Sequence, residues 1–318
     1  MIKPILSIVT LSYNTCQITL DCIRSILADK GLSFDLEKND PSEKIPTEII
    51  IVDNNSHDDS LEQIKKYPFI KIIQNKENRG FARANNQGIN SARGNYLLLL
   101  NSDTVILHSA ISQALNWLSS HPKASACTAQ LLNKDRTIQA SGGFFPNLFN
   151  VFTWSTGLDD LPFVNKIIHP LHPHTPEFYT HDSFYLKDHR QDWVTGAFML
   201  LRKSCLTQNP GFDKNYFMYG EEIEWSYRIH QSQPSMQVWY LVGPQIIHLG
   251  AASATNRADP VINEYLGILS FFKKHKNTSQ YQVARFLIKI NTALRSIIYS
   301  IIGKKEKSSF YRQACSKI

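Results

Sequence analysis

The chain has 318 residues, 42% of them hydrophobic and 19% charged, with 14 Gly and 14 Pro. This excludes a collagen-like, low-complexity or wholly disordered protein and leaves room for one large domain or two small ones. The net charge of +7 is uneven, because residues 273–318 hold 11 basic residues against one acid, Glu306. The tail therefore carries +10 and residues 1–272 carry −3. A mildly acidic body argues against nucleic acid as a partner, and the basic tail calls for a local explanation. Five cysteines with no CxxC pair argue against a disulfide framework or a structural zinc site and point to a reducing, cytoplasmic setting. The apolar run Ile5–Leu11 is too short for the core of a signal peptide.

Strands and helices alternate over the first hundred residues. The apolar runs Ile5–Leu11, Glu48–Val52, Ile70–Gln74 and Tyr96–Leu100 read as strands covered on both faces, as in a mostly parallel sheet. Helical spacing fits Cys16–Ala28, Ser60–Lys66 and Phe81–Arg93, the last with Phe81, Ala84, Gly88 and Ala92 on one narrow face. This is the βαβ rhythm of a nucleotide-binding α/β fold. The polar segment Asp29–Thr47 interrupts it as a surface insertion. Periodicity fails from about Gly142 to Asp192, where His169, His172, His174 and His181 stand among prolines and aromatics. Metal binding is open to them, but an acceptor-side loop or lid is the preferred reading. Order returns with a strand at Trp193–Arg202, a short helix at Glu221–Gln231, and strands at Val238–Val242 and Gln245–His248.

In a doubly wound sheet, ligands bind beyond the carboxyl ends of the strands. The four exits here read Thr10-Leu-Ser-Tyr13-Asn14, Val52-Asp53-Asn54-Asn-Ser56, Asn75-Lys-Glu-Asn-Arg79 and Asn101-Ser102-Asp103. Together they describe a pocket for a polar, anionic ligand. No GxGxxG or GxxxxGK[ST] loop is present, which counts against NAD enzymes and P-loop ATPases. Asp53 can accept an N–H from a pyrimidine ring, or can serve an Asx-turn or a helix N-cap. Asp103, thrust out of a buried strand, suits a hard divalent cation shared with phosphate oxygens, or an N-cap before Ile106. Glu221, Glu222 and Glu224 open a helix, where they offer a general base or simply complement the helix dipole.

Six segments in this order, SIVTLSYN, IIIVDNNSHDDS, NKENRGFARANNQGINSARGNYLLLLNSDT, DWVTGAFMLLRKS, GFDKNYFMYGEEIEWSYR and PQIIHLG, resemble glycosyltransferase family 2. The likeness is to its rhamnosyltransferase-like branch, which builds bacterial surface polysaccharides. It spans about residues 4–255 and implies a GT-A, Rossmann-like α/β fold, a nucleotide-diphosphate sugar donor, Mn²⁺ or Mg²⁺, and inversion at the anomeric carbon. The domains it implies are 1–255 for the transferase (1–104 nucleotide-binding, 105–255 acceptor and catalytic) and 256–318 for a basic helical extension. Thr10, Tyr13 and Asn14 would then line the nucleotide pocket. Asp53 would meet the base, supported by Asn54 and Ser56, and Arg79, Asn85 and Asn86 would approach the ribose and diphosphate. Ser102 and Asp103 belong to the DxD-type motif, whose first acid is here Asn101. Asp103 would bind the metal and His248 would complete its coordination. The family's Glu-Asp pair aligns with Glu221-Glu222, which makes Glu222 the base and Glu221 the fallback. Asp192, Trp193 and Gly196 would border the acceptor, although core packing explains a strand Trp equally well.

In the tail, apolar residues at 283, 286, 287, 290, 294, 297, 298 and 301 form one helical stripe interrupted by Arg285, Lys289 and Arg295. A transmembrane helix fits poorly, and two readings stay open: a helix lying on an anionic membrane, or one packed on the enzyme body or a dimer partner. The expectation is an inverting glycosyltransferase, peripheral on the inner face of the cell membrane. It would move rhamnose from dTDP-rhamnose to a lipid-linked or saccharide acceptor in polysaccharide or O-antigen assembly. The rivals are a UDP-hexose or UDP-galactofuranose donor, and a non-catalytic sugar-nucleotide-binding scaffold.

Overall fold

The computed structural model describes residues 2–37, 43–161, 169–173, 175, 184–250 and 258–318. The first half runs β1 (Leu6–Ser12), α1 (Cys16–Leu27), β2 (Leu32–Ser33), β3 (Ile45–Asp53), α2 (Ser60–Ile64), β4 (Ile70–Gln74), α3 (Phe81–Ser91) and β5 (Tyr96–Asn101). It continues with β6 (Thr104–Ile106), α4 (Ala110–Ser120), β7 (Ala124–Leu132), β8 (Ile138–Gln139), α5 (Leu148–Thr156), β9 (His189–Gln191) and β10 (Phe198–Arg202). The last elements are α6 (Glu221–Ser232), β11 (Gln237–His248), α7 (Ala258–His275), α8 (Thr278–Ile301) and α9 (Lys305–Lys317).

All described strands join one sheet in the order β2-β3-β1-β5-β10-β7-β11-β6, with β4 on β3, β8 on β7 and β9 on β11. The expected parallel run is present in β4, β3, β1 and β5. Beyond it the sheet is mixed, because β10 lies antiparallel between β5 and β7, and β6, β8 and β9 also pair antiparallel. The insertion at 29–47 contributes β2 and the first residues of β3. The strand expected at Trp193–Arg202 forms only from Phe198, and Trp193 makes an isolated bridge to Gly143. The two strands expected near the end of the body are one, β11, whose pairing shifts register between Leu241 and Gln245.

Strand alternation sends Leu6, Ile8, Ile49, Ile51, Leu98 and Leu100 to a core shared with α1 and α4. Val9, Ile50, Leu97 and Leu99 face α3 and Trp225 of α6 on the other side. A third cluster joins Val151 of α5, Trp193 and Ile223 of α6 to α7, α8 and α9. The boundary expected at residue 255 falls outside the described residues, and beyond it the three helices pack on the body rather than apart from it. Two features position the site. The parallel strands end at a common edge, where Ser12, Asp53 and Gln74 are in register. The chain leaving β5 also crosses to the far end of the curled sheet, where β6 pairs with β11 and Thr104 lies opposite His248.

Candidate active site

The first wall of the site is a network of short polar side chains at the ends of β1, β3 and β4. Asp53 is buried; its Oδ2 accepts from the Ser56 amide at 3.2 Å, while Oδ1, also buried, has no hydrogen-bond partner among the described residues. The turn reading and the ligand reading thus divide the carboxylate between them. Thr10 Oγ1, on the neighbouring strand, is likewise buried and unpartnered. Asn14, held at φ 53°, accepts from His57 N at 2.8 Å, and its own amide donates to Ser56 Oγ, which ties the first exit to the second. Tyr13 is half-buried in the same turn. Asn54 is a hub: Oδ1 accepts from Asn75 Nδ2 and from the Arg79 amide, both at 3.0 Å, and Nδ2 donates to Asn78 at 2.7 Å. Asn75 and Gln87 exchange a reciprocal amide pair at 2.9 Å.

The structure spends three of the expected donor contacts elsewhere. Asn86 gives both ends of its amide to the backbone of Phe212, at 2.8 and 2.9 Å, and Asn85 is buried with its amide on Phe81 O. These side chains fix α3 and the loop before α6. Arg79 is tied through its backbone, and its guanidinium stays exposed near Glu77 at 3.7 Å.

The second wall is the metal candidate. His248 Nε2 stands 3.3 Å from Asp103 Oδ1 and 3.3 Å from Asn101 Nδ2. Gln139 Oε1 takes the other ring nitrogen, Nδ1, at 2.6 Å, while Gln139 Nε2 donates to Asn133. A carboxamide oxygen only accepts, so Nδ1 carries the proton and the Nε2 lone pair faces the Asp103 carboxylate. Two acceptors turned toward one another are a fit for a divalent cation, with Asp103 and His248 as its protein ligands. Asp103 begins no helix, which removes the N-cap reading. Ser102 lies half-buried in the turn beside it. Among the described residues there is no group of three or more His, Cys, Asp or Glu that could hold a metal. His169 stacks on Phe144, His172 pairs with Glu264 at 3.0 Å, and His174 and His181 fall outside the described residues.

The third wall is the start of α6. Glu222 is partly exposed, and its Oε1 accepts from the Gly196 amide at 3.0 Å. Gly196 is squeezed between Phe81 and this carboxylate: a Cβ there would lie 2.9 Å from Phe81 Cζ and 3.2 Å from Glu222 Oε1. Burial raises the pKa of Glu222, against the opposing pull of the Gly196 hydrogen bond. Glu221 is fully buried with Oε2 unpartnered, and burial plus the charge of Glu222 push it well above the ordinary carboxylate range. Glu224 takes no part in the site. Although burial opposes it, hydrogen bonds from His275, Arg228 and Lys274 hold its pKa down at about 2.

Tyr219, which the sequence did not single out, stands two residues before Glu221 at the start of α6. Burial and the nearby carboxylates of Glu222, Glu264, Glu221 and Asp103 all raise its pKa. It sits at φ 72° and Gly220 follows at φ 93°, a bend pressed against Gly267 of α7. Left-handed side-chain residues are uncommon and cluster at functional sites. On the acceptor side, Asp192 accepts from Phe145 N at 2.7 Å and burial raises its pKa. The Trp193 ring is packed in the third core cluster with its N–H on Phe144 O, so it holds the 143–145 segment rather than offering a face to a sugar.

Residues 7–166 match the sequence pattern of Glycosyl transferase family 2. The chain belongs to glycosyltransferase family 2. This family 2 chain is 22% identical over 193 residues to the N-acetylglucosaminyl-diphospho-decaprenol L-rhamnosyltransferase of Mycobacterium tuberculosis, covering 56% of this chain and 59% of that one. It is 30% identical over 138 residues to the poly-beta-1,6-N-acetyl-D-glucosamine synthase of Staphylococcus aureus, covering 40% of this chain and 30% of that one. The chain therefore spans less than two thirds of the length of these relatives. Among solved structures it is similar to the mannosyltransferase PcManGT of Pyrobaculum calidifontis in complex with GDP-Man and Mn²⁺, with a TM-score of 0.56, 13% identity, and 99% and 87% of the two chains covered. It is also similar to GalNAc-T7 with UDP, GalNAc and Mn²⁺, with a TM-score of 0.57, 14% identity, and 97% and 54% covered. The fold is that of the GT-A-like glycosyltransferases.

Proposed function

We propose that this family 2 chain is an inverting, metal-assisted glycosyltransferase of surface polysaccharide or cell-wall assembly, moving rhamnose from dTDP-rhamnose to a lipid-linked saccharide at the inner face of the membrane. The observation that carries the reading is the partly exposed Glu222 carboxylate, held by the Gly196 amide at 3.0 Å, in a chain whose Asp103 and His248 stand 3.3 Å apart. An acceptor hydroxyl attacks the anomeric carbon from the face opposite the nucleoside diphosphate, and Glu222 takes its proton. Its raised pKa brings the base nearer neutrality, where proton transfer is most effective. A divalent cation held by Asp103 and His248 would offset negative charge on the diphosphate. Asp53 Oδ1 and Thr10 Oγ1, both buried without a partner among the described residues, support a polar contact to the edge of a pyrimidine. The mycobacterial relative supports rhamnose as the sugar and a diphosphate-linked lipid as the acceptor.

Calorimetric titration of dTDP, UDP and GDP, with and without Mn²⁺, tests the donor side on wild type and Asp103→Ala. The reading expects Mn²⁺-dependent binding of dTDP that the substitution weakens. A preference for UDP would replace rhamnose with a UDP-hexose or UDP-galactofuranose. Failure to bind any of the three would leave a scaffold role in its place.

A further inference from the structure

Helix α8 is built inside out. The side chains it buries against α5, α7 and α9 include Ala284, Asn291, Thr292 and Ser296, with Ile288 as the one large apolar group fully buried. This polar seam is satisfied: Asn291 accepts from Tyr265 OH at 2.6 Å and donates to Ser155 O at 2.8 Å, and Ser296 exchanges hydrogen bonds with Ser308. The opposite face carries Val283, Phe286, Ile290, Leu294, Ile297, Ile298 and Ile301, all exposed, with Phe286 at 64% and Ile301 at 78%. At about 100° per residue these seven fall within an arc of roughly 120°. Neighbouring α5 exposes Phe149 and Phe152, and Leu158 and Leu161 follow it, also exposed. A face of this size and composition marks an interaction site.

Charge decides the occupant. The arc is flanked by exposed Lys289 and ends at Ile302, followed by the exposed Lys304, Lys305 and Lys307, in a segment that carries +10. Lys274, Lys276, Arg285 and Arg295 are engaged elsewhere, but a second copy would still bring its own Lys289, Lys304, Lys305 and Lys307 against the same four lysines here, whereas an anionic bilayer complements them. Among the described residues no helix is long and apolar enough to cross a membrane, so the face would lie on the bilayer rather than span it. We propose that the exposed apolar face of α8, together with Phe149 and Phe152 of α5, docks this protein onto an anionic lipid surface. On the buried side of the same helix Asn291 meets Tyr265 of α7, the helix whose Gly267 lies against the start of α6, so a docked α8 is coupled to the α6 end of the body. The docking itself does not rest on the proposed function.

Co-sedimentation of the full chain with vesicles tests this without any turnover. The probes are phosphatidylcholine alone and phosphatidylcholine with about a quarter phosphatidylglycerol. Wild type is expected to sediment with the anionic vesicles only, and less as salt rises. The triple variant Phe286→Ser, Leu294→Ser, Ile298→Ser should bind at least about tenfold more weakly with its melting temperature preserved. Lys304→Glu with Lys305→Glu should weaken binding to anionic vesicles, and Glu222→Gln should bind them as wild type does. Undiminished binding by the triple variant, or no binding by wild type, overturns the proposal. A wild-type dimer that the triple variant converts to monomer, without vesicle binding, would assign the face to self-association instead.

Discussion

The Gly196 amide donates to Oε1 of Glu222 at 3.0 Å, and this contact joins the start of α6 to the loop that enters β10. It orients the carboxylate while burial keeps its pKa above the ordinary value of 4.5. A base must be ionised to act, so the rate should rise with pH along a limb displaced above that value. Glu222→Gln should remove the limb and lower kcat by about 10²–10⁴ while leaving nucleotide affinity intact. A pH–rate profile and calorimetry on the two proteins check this, and an acid limb at the ordinary glutamate value would remove Glu222 from the role.

Glu224 makes an opposite prediction, about stability. Its folded-state pKa of about 2 lies below the ordinary 4.5, so its contribution is fully present above pH 4.5 and is lost as pH falls toward 2. The shift corresponds to roughly 3 kcal/mol. Thermal unfolding should weaken across that window, and Glu224→Gln should be less stable at pH 7 with a shallower acid slope. Asp213, which shares Lys274 with it, keeps part of the slope in the variant.

A methyl group tests the bend at Tyr219. In Gly267→Ala the new Cβ would lie 2.6 Å from the Tyr219 carbonyl oxygen, which is backbone and cannot swing aside. The α6 N-terminus must then shift, at a cost of about 1–3 kcal/mol, and a displaced base should lower kcat about tenfold or more. Gly243→Ala, where a Cβ meets nothing within 4 Å, is the matched control and should change neither stability nor rate. Equal behaviour of the two variants would detach α7 from catalysis.

The parallel half of the sheet and its common edge were legible because they lie on long, regular signals. Apolar runs, β-branched in β1, β3 and β4 and of leucine in β5, announced these strands, and the residues that follow them stand at the common edge. The stretch 105–141 is not read as structure from the sequence: β7 runs through ASACTAQLL, buried throughout and rich in small residues, which gives no strand alternation, and the stripe Ile111, Ala114, Leu115, Leu118 of α4 is passed over. Yet β7 supplies the bed for β10 and β11, and β8 supplies Gln139. Asn85 and Asn86 looked like ligand groups because an amide's partner cannot be read from sequence; here the partners are backbone atoms of Phe81 and Phe212. Trp193 carries the same ambiguity, since an aromatic read on a strand suits a sugar or a core equally well, and here its ring packs in the third core cluster. The contact between Gly267 and Tyr219 joins residues 48 positions apart, and no local pattern encodes it.

Asp53→Asn separates the turn from the ligand. An amide oxygen can still accept from Ser56 N, but the buried partner-free Oδ1 position becomes, in one rotamer, a donor. A pyrimidine N–H then meets an N–H, and binding of dTDP or UDP should fall about tenfold or more with the fold unchanged. Unaltered pyrimidine affinity would place the base elsewhere.

Gln139 governs His248 from two residues' distance across β8 and β11. Its oxygen, 2.6 Å from Nδ1, selects the tautomer that leaves Nε2 an acceptor, shared between the Asn101 amide and the space toward Asp103, and its own amide is held by Asn133. Gln139→Leu keeps the bulk and removes that selection, so the ring is free to take the other tautomer and to turn. Such outer partners of a metal ligand are commonly worth about 10–100-fold in metal affinity. Mn²⁺-dependent binding of the nucleotide should therefore weaken by that order in Gln139→Leu, approaching His248→Ala, while metal-free binding is unchanged. If Gln139→Leu titrates with Mn²⁺ as wild type does, His248 serves β11 and not the cation, and Asp103 would have to hold the metal with groups from the substrate alone.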